Sequence, residues 1–281
     1  YSGSGAMTLG LCVQKHRTKQ ILRSAGIPSP LGLALPARPR ARAVELEELR
    51  PLGYPLFLKL VHEDASVGIS QSSLVHNDEE LLRQLDYLRT RYQQPVLVEQ
   101  YVHGREIYVA MLGNQPRIFL PLWEIDFSTL PAGLPPIVTY EGKWNESSPE
   151  FVGTPSTLAQ RLSADLEARI IDVARRTFDV LEVYDYGRCD IRLSEDGTPY
   201  VIDVNPNCDL AEKAGFARAS AHLGLSYDQM IEQIAHAALE RNINAHVRAL
   251  DPAARRPPSS TERPRAALQP GGNDGRLLGR G

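Results

Sequence analysis

The chain reads as an α+β protein on three observations. Residues 188–194 and 199–205 look like two strands around Asp196-Gly197, a favoured dipeptide for a tight antiparallel turn. The apolar runs 54–61 and 95–102 are short enough for buried strands. Between such runs lie amphipathic segments with helix-capping pairs, Asn77 with Glu80 and Ser226 with Gln229. With 281 residues the chain can bury one large core or two modest ones. Its 42% hydrophobic and 23% charged content suit a soluble globular protein. A net charge of −3 gives no support for nucleic-acid binding. No apolar run approaches the roughly 20 residues that span a bilayer, so no membrane partner is expected.

Taken in order, residues 14–25 predict a helix that stops at Gly26 and Pro28. A short helix is expected over 45–49, then a buried strand over 54–61. A polar loop, 62–70, leads into a second strand ending at Val75. Leu81, Leu82, Leu85 and Leu88 mark the buried side of a helix from Asn77 to about Tyr92. Strands follow at 95–102, 106–112 and 117–125. Residues 126–157 are rich in Pro, Gly and Ser, and a loop of that length in a compact domain is usually functional. A helix over 162–178, the hairpin, an irregular stretch 206–223 and a helix from Ser226 to near Arg241 complete the folded part. From Pro252 onward Arg, Pro and Gly dominate without any aromatic residue, which predicts a disordered tail.

The hairpin carries most of the chemistry. With a two-residue loop, residue i opposes 393 − i, so Asp190 faces Asp203 and Arg188 faces Asn205. Side chains alternate along a strand, which puts these four on one face. Cys189, Ile191 and Leu193 then share the core face with Tyr200, Ile202 and Val204. Two carboxylates on Cα atoms about 5 Å apart repel by roughly 3 kcal/mol at an effective dielectric near 20. A hard divalent cation resolves that conflict, and Asn205 offers a third oxygen. Arg188 on the same face can hold an anion that the cation also touches. A wet hairpin face carries the same residue types, with Arg188 or Arg192 neutralising the aspartates. A different loop length would shift the register.

Lys59 sits inside an apolar strand, where an ammonium needs an anion or a route to the strand end. The Ser66-Val67-Gly68 segment offers backbone N–H groups and flexibility, as loops over phosphates do. Glu99 closes an apolar strand, where one acceptor and one N–H can read an adenine edge. Glu106, just past a turn, is placed to accept from ribose hydroxyls; both glutamates equally suit ordinary strand ends. The cysteines Cys12, Cys189 and Cys208 are odd in number and widely spaced, which fits a reducing cytoplasm and excludes a disulfide framework.

The order of these features resembles the ATP-grasp superfamily, and more narrowly the D-alanine–D-alanine ligase-like family, over about residues 1–241. The resemblance rests on Tyr1 to Gly5, Lys15, the 55–59 run, Ser66-Val67-Gly68, Glu99, Gly104-Arg105-Glu106, residues 140–144, Gly187 to Asp190 and Asp203 to Pro206. It implies the ATP-grasp fold, with ATP between two α+β subdomains. Lys15 and Lys59 would contact phosphates beneath the loop of Ser66, Val67 and Gly68. Glu99, with the backbone of Gln100 and Val102, would read adenine, and Glu106 the ribose. Lys143 would approach the γ-phosphate and Arg188 would steady the transferring group. Asp190, Asp203 and Asn205 would hold two Mg²⁺ ions, with Mn²⁺ as a substitute.

The implied organisation is a remnant of an N-terminal substrate domain over 1–13, a central subdomain over 14–102, a C-terminal subdomain over 103–245 and the tail over 246–281. The bulk of that substrate domain is expected to be missing. The start lacks an initiator Met and a basic signal region, so the chain reads as a fragment. The implied activity is that of an ATP- and Mg²⁺-dependent carboxylate–amine ligase acting on amino acids or small peptides through an acyl phosphate, homodimeric at full length. The alternatives are a genuine D-alanine–D-alanine ligase and a non-catalytic nucleotide-binding module.

Two departures favour other substrates. Ala65 stands where the family has a serine, and Trp144 where it has Tyr or His. Neither side chain accepts a hydrogen bond. Residues 206–216 also replace the family's small-residue stretch, and Asp209, Glu212 or Lys213 there suit a new substrate's charge as well as they suit a surface loop.

Overall fold

The structure, a computed structural model, describes residues 1–250, with side chains to residue 242. Contacts divide the chain into two units, Tyr1–Arg241 and Asn242–Gly281. Both sheets lie in the first. The tail expected over 246–281 falls outside the described residues beyond 250. Among the described residues no helix is long and apolar enough to cross a membrane.

The chain opens with α1 (Ala6–Val13) and α2 (Lys15–Ser24), followed by β1 (Gly32–Leu35) and α3 (Arg42–Leu49). Next come β2 (Leu56–Leu60), β3 (Leu74–Val75), α4 (Asp78–Tyr92) and β4 (Val96–Gln100). These strands form an antiparallel sheet in the order β1-β4-β2-β3. Asn77 caps α4 by accepting from the Glu80 N–H at 3.0 Å. Leu81, Leu85 and Leu88 of α4 and Leu49 of α3 seal the core against Leu56, Leu58, Val96 and Val98. Each is at most 2% exposed, so roughly 2 kcal/mol of burial per side chain locks the helices to the sheet.

The larger sheet is built from β5 (Arg105–Leu112), β6 (Ile118–Phe119), β7 (Trp123–Ile125), β8 (Ser156–Leu158), β9 (Tyr186–Leu193) and β10 (Pro199–Asn205). Its order is β10-β9-β5-β7-β8, with β6 paired to β5. Two short helices, α5 (Tyr140–Trp144) and α6 (Pro149–Val152), interrupt the long connection. Then α7 (Ala164–Val180) precedes β9, while α8 (Gly215–His222) and α9 (Tyr227–Leu250) follow β10. Alternation sorts the strands. Ile107, Val109 and Met111 join Cys189 and Ile191 under Ile170, Val173 and Phe178 of α7. On the opposite face of β5, Ala110 and Leu112 meet Phe216 of α8 and Met230 of α9. Glu106 and Tyr108 share that face and open onto a cleft.

Several expectations are corrected. Residues 6–13 form a helix, and Cys12 and Leu22 pack into the larger sheet's core. Strand β1 and helix α8 were not expected, the span 117–125 holds two strands, and the second strand shrinks to Leu74–Val75. The 126–157 segment contains α5, α6 and the first two residues of β8.

The hairpin loop also differs, and the physical reason matters. The turn spans three residues, 195–197, with Gly197 at φ +78° and Ser194 N–H donating to Thr198 O at 3.1 Å. This shifts the register by one, pairing Leu193 with Pro199 and Ile191 with Val201. Uncorrected, the slip would turn Asp203 into the core. A bulge at Ile202 absorbs the extra residue and restores Asp190 opposite Asp203 and Arg188 opposite Asn205. The core face therefore carries Val201 and Val204; Tyr200 and Ile202 are only half-buried.

Candidate functional site

The two sheets flank a cleft of about 800 Å³. The expected residues Lys15, Lys59, Ser66, Val67, Glu99, Gln100 and Val102 line it, as do Glu106, Lys143, Arg188, Asp190, Asp203 and Asn205. Gly68 does not. At φ +78° it turns the loop, and a Cβ there would lie 2.8 Å from Leu60 Cδ1. Ala65 and Ser66 also hold positive φ, 55° and 62°, so this loop carries backbone strain of about 1–2 kcal/mol per residue. Among the described residues the Ser66 and Gly68 N–H groups have no backbone acceptor.

On the hairpin side, Arg188 grips Asp190 through two bonds, Nε to Oδ1 at 2.6 Å and Nη2 to Oδ2 at 2.9 Å. Its guanidinium lies 4.5 Å from the centre of the Tyr108 ring. Asn205 Nδ2 donates to Asp190 Oδ2 at 3.1 Å. Asp203 instead faces Lys15 at 3.5 Å, and Lys15 Nζ donates to Asp64 at 2.6 Å. Burial alone would raise the Asp203 pKa, but Lys15, Lys59 and Lys19 outweigh it and hold the carboxyl below its usual range.

Two carboxylates and one amide on a single face make a hard-oxygen donor set, which suits Mg²⁺ that retains water and phosphate ligands. Among the described residues no three His, Cys, Asp or Glu side chains converge, so the third protein oxygen is the Asn205 amide. Arg188 and Lys15 meanwhile screen the two aspartates from each other.

On the other side, Lys59 neither snorkels nor stands free. It is 6% exposed, lies 3.0 Å from Glu99 Oε1 and donates to the Ile202 carbonyl at 3.1 Å. That carbonyl belongs to the bulged residue, so Lys59 ties the smaller sheet to the hairpin. Glu99 also takes a short hydrogen bond from Lys19, a residue the sequence reading passed over. Lys19 stands one helical turn after Lys15, and that i, i+4 spacing was the available signal. One carboxylate between two buried ammoniums leaves an excess positive charge. Burial opposes ionisation of Glu99, yet the two lysines keep its pKa lowered. Burial, with Lys59 repulsion against Glu99 attraction, depresses Lys19 to about 7.

A native pKa near 7 against about 10.4 in the unfolded chain means the unfolded state binds more protons between these values. Stability conferred at this position therefore rises with pH above 7. Unfolding titrations at pH 7 and 8 are expected to show wild type gaining up to ~1 kcal/mol relative to Lys19→Met. Parallel changes in the two proteins would contradict the depressed pKa.

Glu106 is 7% exposed, accepts from Tyr108 Oη at 3.1 Å and meets Arg192 at 3.0 Å. Lys143 lies on α5 with its Nζ 5.5 Å from the Trp144 ring centre; desolvation, then Arg188, lower its pKa. Trp144 meets its departure from the family pattern by donating from Nε1 to the Ala65 carbonyl at 2.9 Å. The Tyr140 N–H donates to the Ile69 carbonyl at 3.0 Å, so α5 is fastened to the strained loop at two points. Of the three residues raised for substrate charge, Asp209 and Lys213 line the cleft and Glu212 does not.

Residues 21–236 match the family model described as D-ala D-ala ligase C-terminus. The chain belongs to the D-alanine–D-alanine ligase C-terminal family. Relatives of this ligase family include the uncharacterized protein y4sG of Sinorhizobium fredii, 32% identical over 241 residues, 86% of this chain and 67% of that protein. The D-alanine–D-alanine ligase of Chromohalobacter salexigens is 29% identical over 83% of this chain and 68% of its own length. The fold matches the D-alanine–D-alanine ligase of Bacillus anthracis with a TM-score of 0.71 at 23% identity, covering 87% of this chain and 73% of that one. The two-sheet α+β architecture is accordingly that of ATP-grasp ligases.

Proposed function

We propose that this chain is the ATP-binding part of an ATP- and Mg²⁺-dependent carbon–nitrogen ligase that joins a carboxylate to an amine of amino-acid or small-peptide substrates. The observation that carries the reading is the bulge-restored Asp190–Asp203 pair, facing Lys15, Lys59 and Glu99 across one cleft. Arg188 and Lys15 neutralise the opposed aspartates in this structure; the same oxygens, with Asn205, suit a hard cation, and family membership makes Mg²⁺·ATP the candidate. ATP binding between the sheets, two Mg²⁺ ions and a cytoplasmic location with its reduced thiols belong to the same proposal.

In this mechanism the substrate carboxylate attacks the γ-phosphorus, the bond to the β-phosphate oxygen breaks, and ADP leaves. The acyl phosphate is then attacked at carbon by the amine, and phosphate departs as the amide forms. Lys15 and Lys59 would neutralise the triphosphate, and Arg188 would steady the transferring phosphoryl group. The Val102 N–H, beside Glu99 and Gln100, would read adenine, and Glu106 would accept from ribose. Bound Mg²⁺ supplies further charge neutralisation, and Asp190, Asp203 and Asn205 are the residues that would hold it. Helix α5, clasped to the 65–69 loop, would exclude water that otherwise hydrolyses the acyl phosphate.

The test is phosphate release from Mg²⁺·ATP, screened over pairs of amino acids with the chain in its full natural context. Release that requires an amino-acid pair and matches amide formation is expected. ATP binding without phosphate release from any pair would instead favour a non-catalytic module. Robust release with D-alanine alone would make it a D-alanine–D-alanine ligase.

A further inference from the structure

After β10, the residues Asp209, Lys213, Ala214, Gly215 and Arg218 line the cleft; Asp209 accepts from the Ala211 N–H at 2.9 Å. Arg218 stacks 4.8 Å from the centre of the Trp123 ring and donates one hydrogen bond, to the Ser156 carbonyl at 3.3 Å. Its Nε is buried without a partner, as are Ser156 Oγ and Trp123 Nε1 beside it. Lys15, Lys59, Arg188 and Arg192 each hold a carboxylate. Among the described residues Arg218 and Lys213 hold none. Helix α8 starts at Ala214 without a side-chain cap, so its first N–H groups add to the positive potential.

Two cations that pair with no carboxylate among the described residues, one of them stacked on an indole ring, together with an uncapped helix start are a receptor for an anion. An amino-acid substrate's own carboxylate needs one anchor, for which the uncapped helix start is sufficient. The two additional cations call for a second negative group. We propose that Arg218 and Lys213 recognise the side-chain carboxylate of an acidic amino acid, so that one substrate of the ligase is glutamate- or aspartate-like. The inference deepens the ligase reading and rests on it for the identity of the cleft.

The test reads binding, not turnover. Glutamate, aspartate, glutamine and asparagine, each as both enantiomers, are titrated calorimetrically into the full chain saturated with Mg²⁺ and a non-hydrolysable ATP analogue. An acidic amino acid should bind about 10- to 100-fold tighter than its amide, the range of a charge-assisted hydrogen bond. Arg218→Met keeps an unbranched stem over Trp123 and should erase that preference. Lys213→Ala, at an exposed position, should reduce it severalfold with nucleotide affinity unchanged, and it decides the matter should Arg218→Met fail to fold. Equal binding of acid and amide, binding of neither, or a preference that survives Lys213→Ala unchanged overturns the inference. Absence of phosphate release alongside the expected binding would count against the ligase reading alone.

Discussion

Asp203→Ala is expected to lower amino-acid-dependent phosphate release by about three orders of magnitude, the equivalent of ~4 kcal/mol of transition-state stabilisation. Asp203 is partly exposed, and its nearest cation, Lys15, keeps a bond to Asp64 when Asp203 is removed. The truncation therefore leaves no stranded buried charge, and unfolding free energy should change by less than about 1 kcal/mol. What disappears is one of the two opposed carboxylates that define the donor set. Release rates and melting temperature, measured on the same preparation, separate these effects. A variant retaining more than a tenth of wild-type release would remove Asp203 from the metal site.

Glu99→Gln should have the largest effect on stability. Its carboxylate is 3% exposed and serves both Lys19, 4% exposed, and Lys59, 6% exposed. The amide keeps the shape but leaves Lys59, and Lys19 when it is protonated, buried without an anion, at a cost of roughly 3–5 kcal/mol. For a unit of this size that corresponds to a drop in Tm of roughly 6–20 °C. The deficit should shrink as pH rises, because Lys19, already depressed to about 7 by burial, sheds its proton more readily than in the unfolded chain once Glu99 no longer attracts it. Thermal melts at pH 7 and 9 check both statements, and a loss below ~1 kcal/mol with no pH dependence would rule out the buried triad.

The aspartate pair shows how far the sequence could be read. Asp190 does oppose Asp203, yet the loop is one residue longer than expected and only the bulge at Ile202 restores the pairing. Loop length is legible in Asp196-Gly197 only as a preference, and a bulge at an isoleucine leaves no local mark. Capped, periodic helices were legible: Ser226 and Gln229 exchange the reciprocal bonds expected of them, at 3.2 and 2.8 Å. Helices α1 and α8 were not, since neither has a side-chain cap and both are only eight residues long. Strand β1 is four residues at a sheet edge, too short for any period to show. The cleft-lining lysines Lys15 and Lys59 were found one by one, but their mutual dependence was hidden. That Lys59 answers to Glu99 and to the bulge carbonyl is a tertiary fact, and so is the role of Lys19.

In the proposed reaction the opposed aspartates hold Mg²⁺ together with a triphosphate. Calorimetric titration of ATP into the protein, once with excess Mg²⁺ and once with EDTA, tests it most directly. At least tenfold tighter binding is expected with Mg²⁺, since Asp190, Asp203 and Asn205 would hold the ion and it would supply positive charge against the triphosphate. Equal affinity in the two titrations, or no ATP binding in either, would contradict it.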